Sequence, residues 1–198
     1  MRRILVCLAL LAFAPISQAG IFDFASGIAA GRSGPGDAPG EQSVEVAFSP
    51  DGQAEALVLK VIHSARSSIR LAGYTFTSPA VVRALTDAKR RGVAVAVVVD
   101  YKNNIEESRS NAPRQALNLL INSEIPTRTV SVYPIHHDKY IVVDDRTVET
   151  GSFNYTTAAA RSNSENVLVV WNDPAIARQY VAHWQSRWEQ GRPYQSSY

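Results

Sequence analysis

Four residue types suited to phosphoryl chemistry lie close together in the C-terminal half of the sequence. His137, Lys139 and Asp144 form the pattern His-x-Lys-x4-Asp, and Gly-Ser-x-Asn follows at residues 151–154. An imidazole can act as nucleophile or general acid/base near neutral pH. Lysine, serine and asparagine side chains donate hydrogen bonds to phosphoryl oxygens, and lysine adds positive charge. The pattern therefore indicates phosphoryl transfer.

A β-hairpin would bring these groups together. Residues two apart in a strand share a face, so His137 and Lys139 point the same way. Ser152 and Asn154 do likewise. With a two-residue turn at 145–146, His137 lies opposite Asn154. Lys139 then lies opposite Ser152, with all four side chains on one face, whereas a slip of one residue would separate the pairs.

A third strand starting near Asn166 would return Glu165 to the same end of the sheet. Its carboxylate can accept a proton from the second imidazole nitrogen of His137, which orients the ring and raises its nucleophilicity. The site has too few carboxylates for magnesium and too few histidines for zinc. We therefore expect a reaction that needs neither a metal nor another cofactor.

The elements that position these residues follow an alternating order. Residues 93–99 are wholly apolar, as in a strand buried on both faces. The order predicts an α/β fold, a mixed β-sheet flanked by helices on both faces. The predicted strands are 44–48, 69–74, 93–99, 130–133, 139–143, 147–153 and 166–171, and the predicted helices start near 54, 79, 114 and 177.

The N-terminal segment predicts export rather than a folded element. Arg2 and Arg3 precede an apolar run at 4–14, and Ala19 ends a small-residue cleavage pattern, so residues 1–19 are interpreted as a signal peptide. The product would be periplasmic or secreted. An uncleaved membrane anchor is the rival interpretation, but the run is short for one. Residues 20–42 are rich in glycine and proline and predict a flexible leader before a catalytic domain at 43–198.

Cleavage would also change the composition. The 198-residue chain has 20 basic and 18 acidic residues and one cysteine. Removing the segment deletes two arginines and Cys7, which leaves a neutral chain without cysteine. Such a protein cannot be a disulfide scaffold or a thiol enzyme. Affinity for nucleic acid must then come from locally placed charge rather than from net charge.

At these motifs the chain resembles the phospholipase D superfamily, and especially its small single-motif bacterial endonucleases. The resemblance runs from about residue 44 to the C-terminus and includes HHDKYIVVDD, VETGSFNYT, NSENVLVVW and HWQSRW. It implies a phospholipase D-like α/β/α sandwich in which His137 attacks phosphorus to give a phosphohistidine that water hydrolyses. By the same resemblance Glu165 supports the histidine, Asp144 supports the turn, and phosphate is bound by Lys139, Ser152 and Asn154.

One motif supplies one histidine, and one histidine cannot easily attack and also protonate the leaving oxygen on the opposite side. Neither His63 nor His183 has a lysine two residues later, so both are interpreted as ordinary helical histidines. His136 is interpreted as shaping the strand entry. The family resemblance implies a homodimer with one active site at a two-fold interface. Which copy of His137 attacks stays open.

The leading hypothesis is an exported, metal-independent endonuclease with little sequence preference, acting on DNA, with RNA as a further candidate substrate. Arg109, Arg114 and Arg161 are candidates for contacts with the phosphate backbone, because they lie in or beside polar segments. The alternatives are a phospholipase D-type phosphodiesterase acting on phospholipids and a nucleic-acid-binding module that does not cleave. The intact motif counts against the last.

Overall fold

The computed structural model describes residues 41–196, which belong to one compact unit. The predicted signal peptide and residues 20–40 of the predicted leader lie outside the described residues. No helix within residues 41–196 is long and apolar enough to cross a membrane. The strands are β1 (Ser43–Ser49), β2 (Ser68–Gly73), β3 (Ala94–Asp100), β4 (Thr127–Val130), β5 (Tyr140–Val143), β6 (Thr147–Gly151), β7 (Glu165–Trp171) and β8 (Arg192–Pro193). The α-helices are α1 (Gln53–Ser64), α2 (Pro79–Arg90), α3 (Ala112–Asn122), α4 (Thr157–Arg161) and α5 (Pro174–Gln190), and a π-helical turn spans Lys102–Glu106.

The eight strands form one mixed sheet in the order β1-β7-β6-β5-β2-β3-β4-β8. Helices α1, α2 and α3 pack on one face and enclose the larger apolar core. Helix α5 packs on the other face, where Ala177 and Trp184 meet Val98 and Val142 of the sheet. The predicted α/β fold with helices on both faces is therefore confirmed. The all-apolar strand β3 lies inside the sheet between β2 and β4, as its composition predicts.

The strand directions collect several chain ends at one edge of the sheet. Strands β2 and β3 are parallel, whereas β5 is antiparallel to β2, β6 to β5, β7 to β6 and β1 to β7. The carboxyl ends of β2, β3 and β6 therefore lie beside the amino ends of β5 and β7. Every residue of the His-Lys and Gly-Ser-x-Asn segments adjoins one of these ends. We call this side of the sheet the site edge.

Helix α5 is held firmly against the sheet. Asp173 caps its first turn by accepting hydrogen bonds from the amides of Ala175 and Ile176, and Pro174 occupies the first turn. The buried indole of Trp184 donates a hydrogen bond to the carbonyl oxygen of Leu71 at 3.0 Å. This bond fixes the helix against β2.

Some element boundaries differ from the sequence-based expectations. The strand predicted at 130–133 is wrong, because β4 covers Thr127–Val130 and pairs with β3 there. Val132 and Tyr133 are instead exposed. Val130, Val132 and Tyr133 made the later stretch the more apolar one, and only pairing with β3 selects Thr-Arg-Thr-Val instead. Helix α4, the π-helical turn and β8 had no clear sequence signal.

The predicted register of the β5–β6 hairpin is also wrong, by one residue. Tyr140 pairs with Thr150 and Val143 with Thr147, so three residues rather than two form the loop. Asp144 and Asp145 take the two left-handed positions, at φ 53° and 54°, and the Arg146 amide donates a hydrogen bond to the Val143 carbonyl. Aspartate tolerates this conformation better than arginine. The turn therefore starts one residue earlier than expected.

The carboxylate of Asp144 ties the hairpin to the start of β2. It accepts hydrogen bonds from the backbone amides of Arg66, Ser67 and Ser68, at 2.9, 2.7 and 2.8 Å, and from the Ser67 hydroxyl at 2.8 Å. Burial opposes ionisation of Asp144, but these hydrogen bonds outweigh it and hold its pKa below the ordinary value of 3.8. Asp144 lies at the end of β5 opposite to the site edge. Its place in the motif is that of a structural anchor.

Asp144→Asn tests this anchor. An amide keeps the left-handed turn but cannot accept the same set of donors, so we expect a loss of about 1–3 kcal/mol in unfolding free energy at neutral pH. Because the folded-state pKa is lowered, the stabilisation is present above the unfolded-state pKa and is lost as pH falls through the folded-state value. Urea unfolding should be measured from pH 7 down to pH values below 3.8, the ordinary pKa. The difference in unfolding free energy between wild type and variant should shrink as the pH falls.

Asp145→Asn is the matched control, because Asp145 occupies the same turn but forms only an exposed ion pair with Arg70. It should change stability little at any pH. A gap for Asp144→Asn that stays constant across the pH series would contradict the assigned role.

Candidate active site

The site edge gathers the motif residues from separate strands. His137 and Lys139 lie in the extended segment before β5, Ser152 and Asn154 follow β6, and Glu165 begins β7. These residues lie just beyond the paired parts of the strands. They are brought together by the neighbouring strand ends, not by direct pairing within the β5–β6 hairpin. A cleft of about 410 Å³ opens here. Its lining consists of His137, Asp138, Lys139, Tyr140, Thr150, Gly151, Gln179, Tyr180 and His183.

Lys139 places a buried cation at the floor of the cleft. The residue is 8% exposed, and its ammonium donates a hydrogen bond to the His137 carbonyl oxygen at 3.0 Å. Burial lowers the pKa of Lys139, although the carboxylates of Asp138 and Glu165 oppose the shift. Burial makes the charged ammonium of Lys139 less stable, and a bound anion would stabilise it. Lys139 is therefore suited to bind a phosphoryl oxygen.

The imidazole of His137 is exposed to the cleft and rests against an aromatic ring. Its ring centroid lies 4.6 Å from that of Tyr74, with the planes at 65°, and the Lys139 ammonium lies 5.3 Å from the same Tyr74 ring. The Tyr74 hydroxyl accepts a hydrogen bond from the side-chain amide of Asn103 at 3.2 Å. Tyr74 thus positions both motif residues. Sequence reasoning did not select it, and its one signal was its place just after β2 at the site edge.

Glu165 is hydrogen-bonded differently from the sequence expectation. Its carboxylate accepts hydrogen bonds from the Ser152 hydroxyl at 2.6 Å and from the Asn163 side-chain amide at 2.9 Å. The Asn166 backbone amide in turn donates to the Ser152 hydroxyl at 3.1 Å. In residues 41–196, the hydrogen bonds of Glu165 thus lead to Ser152 and Asn163 rather than to the imidazole of His137. The carboxylate also acts on Lys139 by raising its pKa.

Asn154 lies in the loop after β6 with its backbone held in place. Its carbonyl oxygen accepts a hydrogen bond from the Thr156 amide at 2.7 Å. Its side-chain oxygen is buried and has no hydrogen-bond partner among the described residues. An unpaired buried amide oxygen is costly. The NH₂ group of the same side chain can donate a hydrogen bond to a phosphoryl oxygen.

Gly151 allows the two strands that carry Ser152 and Glu165 to approach closely. A Cβ at this position would lie 2.2 Å from the Asn166 carbonyl oxygen and 2.9 Å from its carbon. The Ser152 amide donates to that same carbonyl oxygen at 3.1 Å. The glycine of the Gly-Ser-x-Asn segment is therefore required by backbone contact, and any side chain there would displace Ser152 from Glu165.

A second polar group faces the cleft from the other side of the motif. Asp138 Oδ2 lies 3.3 Å from Nδ1 of His136, 3.9 Å from Nε2 of His183 and 3.9 Å from Nε of Arg187. His136 is buried, and its amide donates a hydrogen bond to Asp100 at 2.8 Å, so it supports the strand entry as expected. His183 was interpreted as an ordinary helical histidine, but α5 places it in the cleft.

The three arginines selected from the sequence occupy different environments. Arg109 is exposed. Arg114 is partly buried and donates a hydrogen bond to the Ile105 carbonyl oxygen at 2.7 Å, which supports the π-helical turn. Arg161 is exposed and pairs with Glu55 at 3.3 Å. None of the three lines the cleft, so their contact with a phosphate backbone stays a prediction.

The arrangement is suited to phosphoryl transfer. It combines an accessible imidazole, a buried ammonium, a side-chain amide and a carboxylate at one sheet edge. Within residues 41–196, no group of three or more histidine, cysteine, aspartate or glutamate side chains is arranged to hold a metal ion. Lys139 supplies a positive charge for a phosphoryl group.

Fold and site together define a phospholipase D-like phosphodiesterase, and the chain belongs to that family. The family described as "Cardiolipin synthase, PLD-like domain" matches residues 58–188. The crystal structure of Nuc, a phospholipase D family member from Salmonella typhimurium, is similar with a TM-score of 0.76 and 51% sequence identity, over 79% of this chain and 100% of that one.

Two other relatives carry names from lipid metabolism. A phospholipase D of Rickettsia bellii is 34% identical over 144 residues, which are 73% of this chain and 68% of the relative. A mitochondrial cardiolipin hydrolase of Xenopus laevis is 33% identical over 129 residues, which are 65% of this chain and 58% of the relative. Together with Nuc, the cardiolipin hydrolase relative supports a phosphodiester hydrolase as the enzyme class of this chain.

Gly151→Ala tests the close approach of β6 and β7. The added methyl group must push the Asn166 carbonyl oxygen away and shift Ser152, and a displacement near 1 Å in such a site costs about 100-fold in rate. We expect a loss of that size in kcat for hydrolysis of bis(p-nitrophenyl) phosphate, a small phosphodiester.

Gly191→Ala is the control. A Cβ at Gly191 would also be crowded, at 3.0 Å from Arg128 Cβ, but it lies beside β8, the outermost strand of the sheet, rather than between β6 and β7. It should lower the melting temperature without a comparable loss of kcat. Full activity of Gly151→Ala would show that the close strand approach is not needed.

Proposed function

We propose that the protein is a metal-independent endonuclease that hydrolyses phosphodiester bonds of DNA, and of RNA where accessible, through a phosphohistidine intermediate. The observation that carries this proposal is the lining of the cleft, where the side chains contributed by residues 41–196 are polar or aromatic and none is aliphatic. Such a cleft suits a hydrated sugar-phosphate chain better than acyl chains. The resemblance to small single-motif bacterial endonucleases supports the same substrate class.

The proposed reaction proceeds in two displacements. In the first, a nitrogen of His137 forms a bond to phosphorus while the bond from phosphorus to the leaving oxygen breaks, and a general acid protonates that oxygen. In the second, water loses a proton to the same acid-base group and displaces His137. Lys139 and the Asn154 amide stabilise the phosphoryl oxygens in both steps. Ser152 and Glu165 hold the end of β6 in place and adjust the charge around Lys139.

The acid-base group is proposed to be His137 of a second subunit, because the chain contains one His-x-Lys-x4-Asp motif. A two-fold dimer that shares one site must form its interface around His137. Val132 and Ile135, in the segment before His137, are 58% and 53% exposed. Exposed apolar residues at this position favour an interface there.

We also propose that the enzyme works outside the cytoplasm. The basic pair Arg2 and Arg3, the apolar run and the small residues ending at Ala19 support cleavage of a signal peptide. A mature N-terminus at Gly20, read by N-terminal sequencing of the exported protein, is the expected result. An intact N-terminus would support the anchor instead.

The second candidate is phospholipid hydrolysis, favoured by the names of the rickettsial and mitochondrial relatives. The chemistry at phosphorus would be the same, and the difference lies in what the cleft accommodates on either side of the phosphate. Both candidates require His137 and Lys139.

Degradation of circular plasmid DNA in the presence of EDTA separates the candidates. The wild type should cleave. Lys139→Ala should lose about 100- to 1,000-fold in rate, because it removes the charge that stabilises the phosphoryl oxygens. His137→Ala should be inactive, because it removes the nucleophile. His63→Ala is a matched control, since His63 is an exposed helical histidine in the last turn of α1, on the side of the sheet away from the cleft. Release of choline from phosphatidylcholine vesicles without DNA cleavage would instead establish the lipid activity.

Subunit mixing tests the shared site. If one phosphodiester lies between two copies of His137, wild-type subunits that exchange into dimers with excess His137→Ala subunits should lose activity in proportion to heterodimer formation. Light scattering should give the mass of a dimer in the same buffer. Undiminished specific activity after exchange, or a fully active monomer, would rule out the shared site.

A further inference from the structure

The α5 side of the cleft carries an imidazole that the proposed reaction does not use. His183 lines the same cavity as His137 and Lys139, and its side chain is 39% exposed. The cavity of about 410 Å³ falls in the size range of sites that bind whole small molecules, about 300–1,000 Å³. There is therefore room beyond the phosphoryl group that contacts Lys139.

The ring of His183 is oriented by Tyr140. The Tyr140 hydroxyl lies 2.9 Å from His183 Nδ1, and the two rings meet edge to face with centroids 5.8 Å apart. Burial and the nearby Asp138 carboxylate raise the pKa of Tyr140 far above its ordinary value, so the phenol stays protonated and can donate to Nδ1. An imidazole that accepts at Nδ1 carries its proton on Nε2. When the phenol is the donor in this bond, the proton of His183 therefore lies on Nε2.

The position of His183 is fixed as firmly as its orientation. The next residue, Trp184, is buried, bonds to Leu71 and stacks on Trp188 with ring centroids 4.9 Å apart. His183 therefore sits on a rigid helix at a set distance from the sheet. A binding group needs this kind of support to favour one ligand geometry.

The charges around Nε2 of His183 are nearly balanced. The Asp138 carboxylate lies 3.9 Å away, which is too long for a hydrogen bond, and Arg187 lies 3.9 Å from the same carboxylate oxygen. Burial lowers the pKa of His136, the third group beside Asp138, which favours its neutral form. Tyr140 and Tyr180 are the other titratable neighbours, and the raised pKa of Tyr140 keeps its phenol uncharged at neutral pH. Arg187 offsets Asp138, so an anion can approach the Nε2–H group.

We propose that His183 binds a phosphate of the substrate adjacent to the one attacked by His137. This inference rests on the proposed nuclease function, because a nucleic-acid strand carries a charged phosphate on each side of the scissile one. A small diester with a single phosphate has no group to place there. His183 would then select for chains of phosphodiesters without taking part in bond breaking.

Kinetics of His183→Leu on two substrates test the proposal. On a single-stranded oligonucleotide, KM should rise about ten-fold with little change in kcat, as expected for the loss of one hydrogen bond to a charged group. On bis(p-nitrophenyl) phosphate, both constants should stay at the wild-type level. His183→Gln, whose amide NH₂ can replace Nε2–H, should recover most of the affinity, and His63→Leu is the control for loss of an exposed helical histidine.

A neutral methylphosphonate placed beside the scissile phosphate of the oligonucleotide identifies the contact. The substitution should weaken binding by the wild type but add nothing to the effect of His183→Leu, because both remove the same interaction. If His183→Leu does not fold, His183→Gln and His183→Ala are measured in the same way.

The outcomes of these experiments are distinct. Loss of kcat on bis(p-nitrophenyl) phosphate would overturn the proposal and place His183 at the reacting phosphate. An unchanged oligonucleotide KM, or additive effects of variant and methylphosphonate, would overturn it as well. Failure of the nuclease function itself would appear differently, as a wild-type enzyme that hydrolyses the small diester but not the oligonucleotide.

Discussion

The carboxylate of Asp144 determines how the central strands of the sheet lie against each other. By accepting hydrogen bonds from the amides of residues 66–68 it joins the β5–β6 turn to the start of β2. Since β5 is antiparallel to β2, fixing one end of this pair also fixes the other, where His137 and Tyr74 meet. The aspartate of the motif thus acts on the site through the length of a strand, without contact with the cleft.

At the site edge the main constraint is to hold a buried cation beside an exposed imidazole, with no direct ion pair to Lys139 within residues 41–196. Lys139 is buried with its charge opposed by desolvation, and its partners are a backbone carbonyl, an aromatic face and two nearby carboxylates. Such a lysine is better prepared for an anion than a fully paired one would be. The Ser152–Glu165 bond and the close strand contact at Gly151 hold the ends of β6 and β7 together beside it.

Much of the fold and the core of the site could be predicted from the sequence. Periodicity located β1, β2, β3, β7 and the long helices, and the spacing of motif residues selected His137 and Lys139. The hairpin register and the hydrogen-bond partners of Glu165 could not be predicted from the sequence. The hairpin register depends on which residues tolerate a left-handed turn, and Asp144 and Asp145 take those positions instead of the predicted pair Asp145 and Arg146. The partners of Glu165 depend on the pairing of β6 with β7, which local sequence does not specify.

The sequence by itself determined the chemistry, because residue types and their spacing define which groups can attack, protonate or bind a phosphoryl group. It also determined the fold class, because apolar periodicity specifies which faces must be buried. Only the tertiary structure decided that Tyr74 and His183 join the site and that Asp144 does not. These residues are far apart in the chain, and their proximity arises from strand order and helix packing, which are set by long-range contacts rather than by any local pattern.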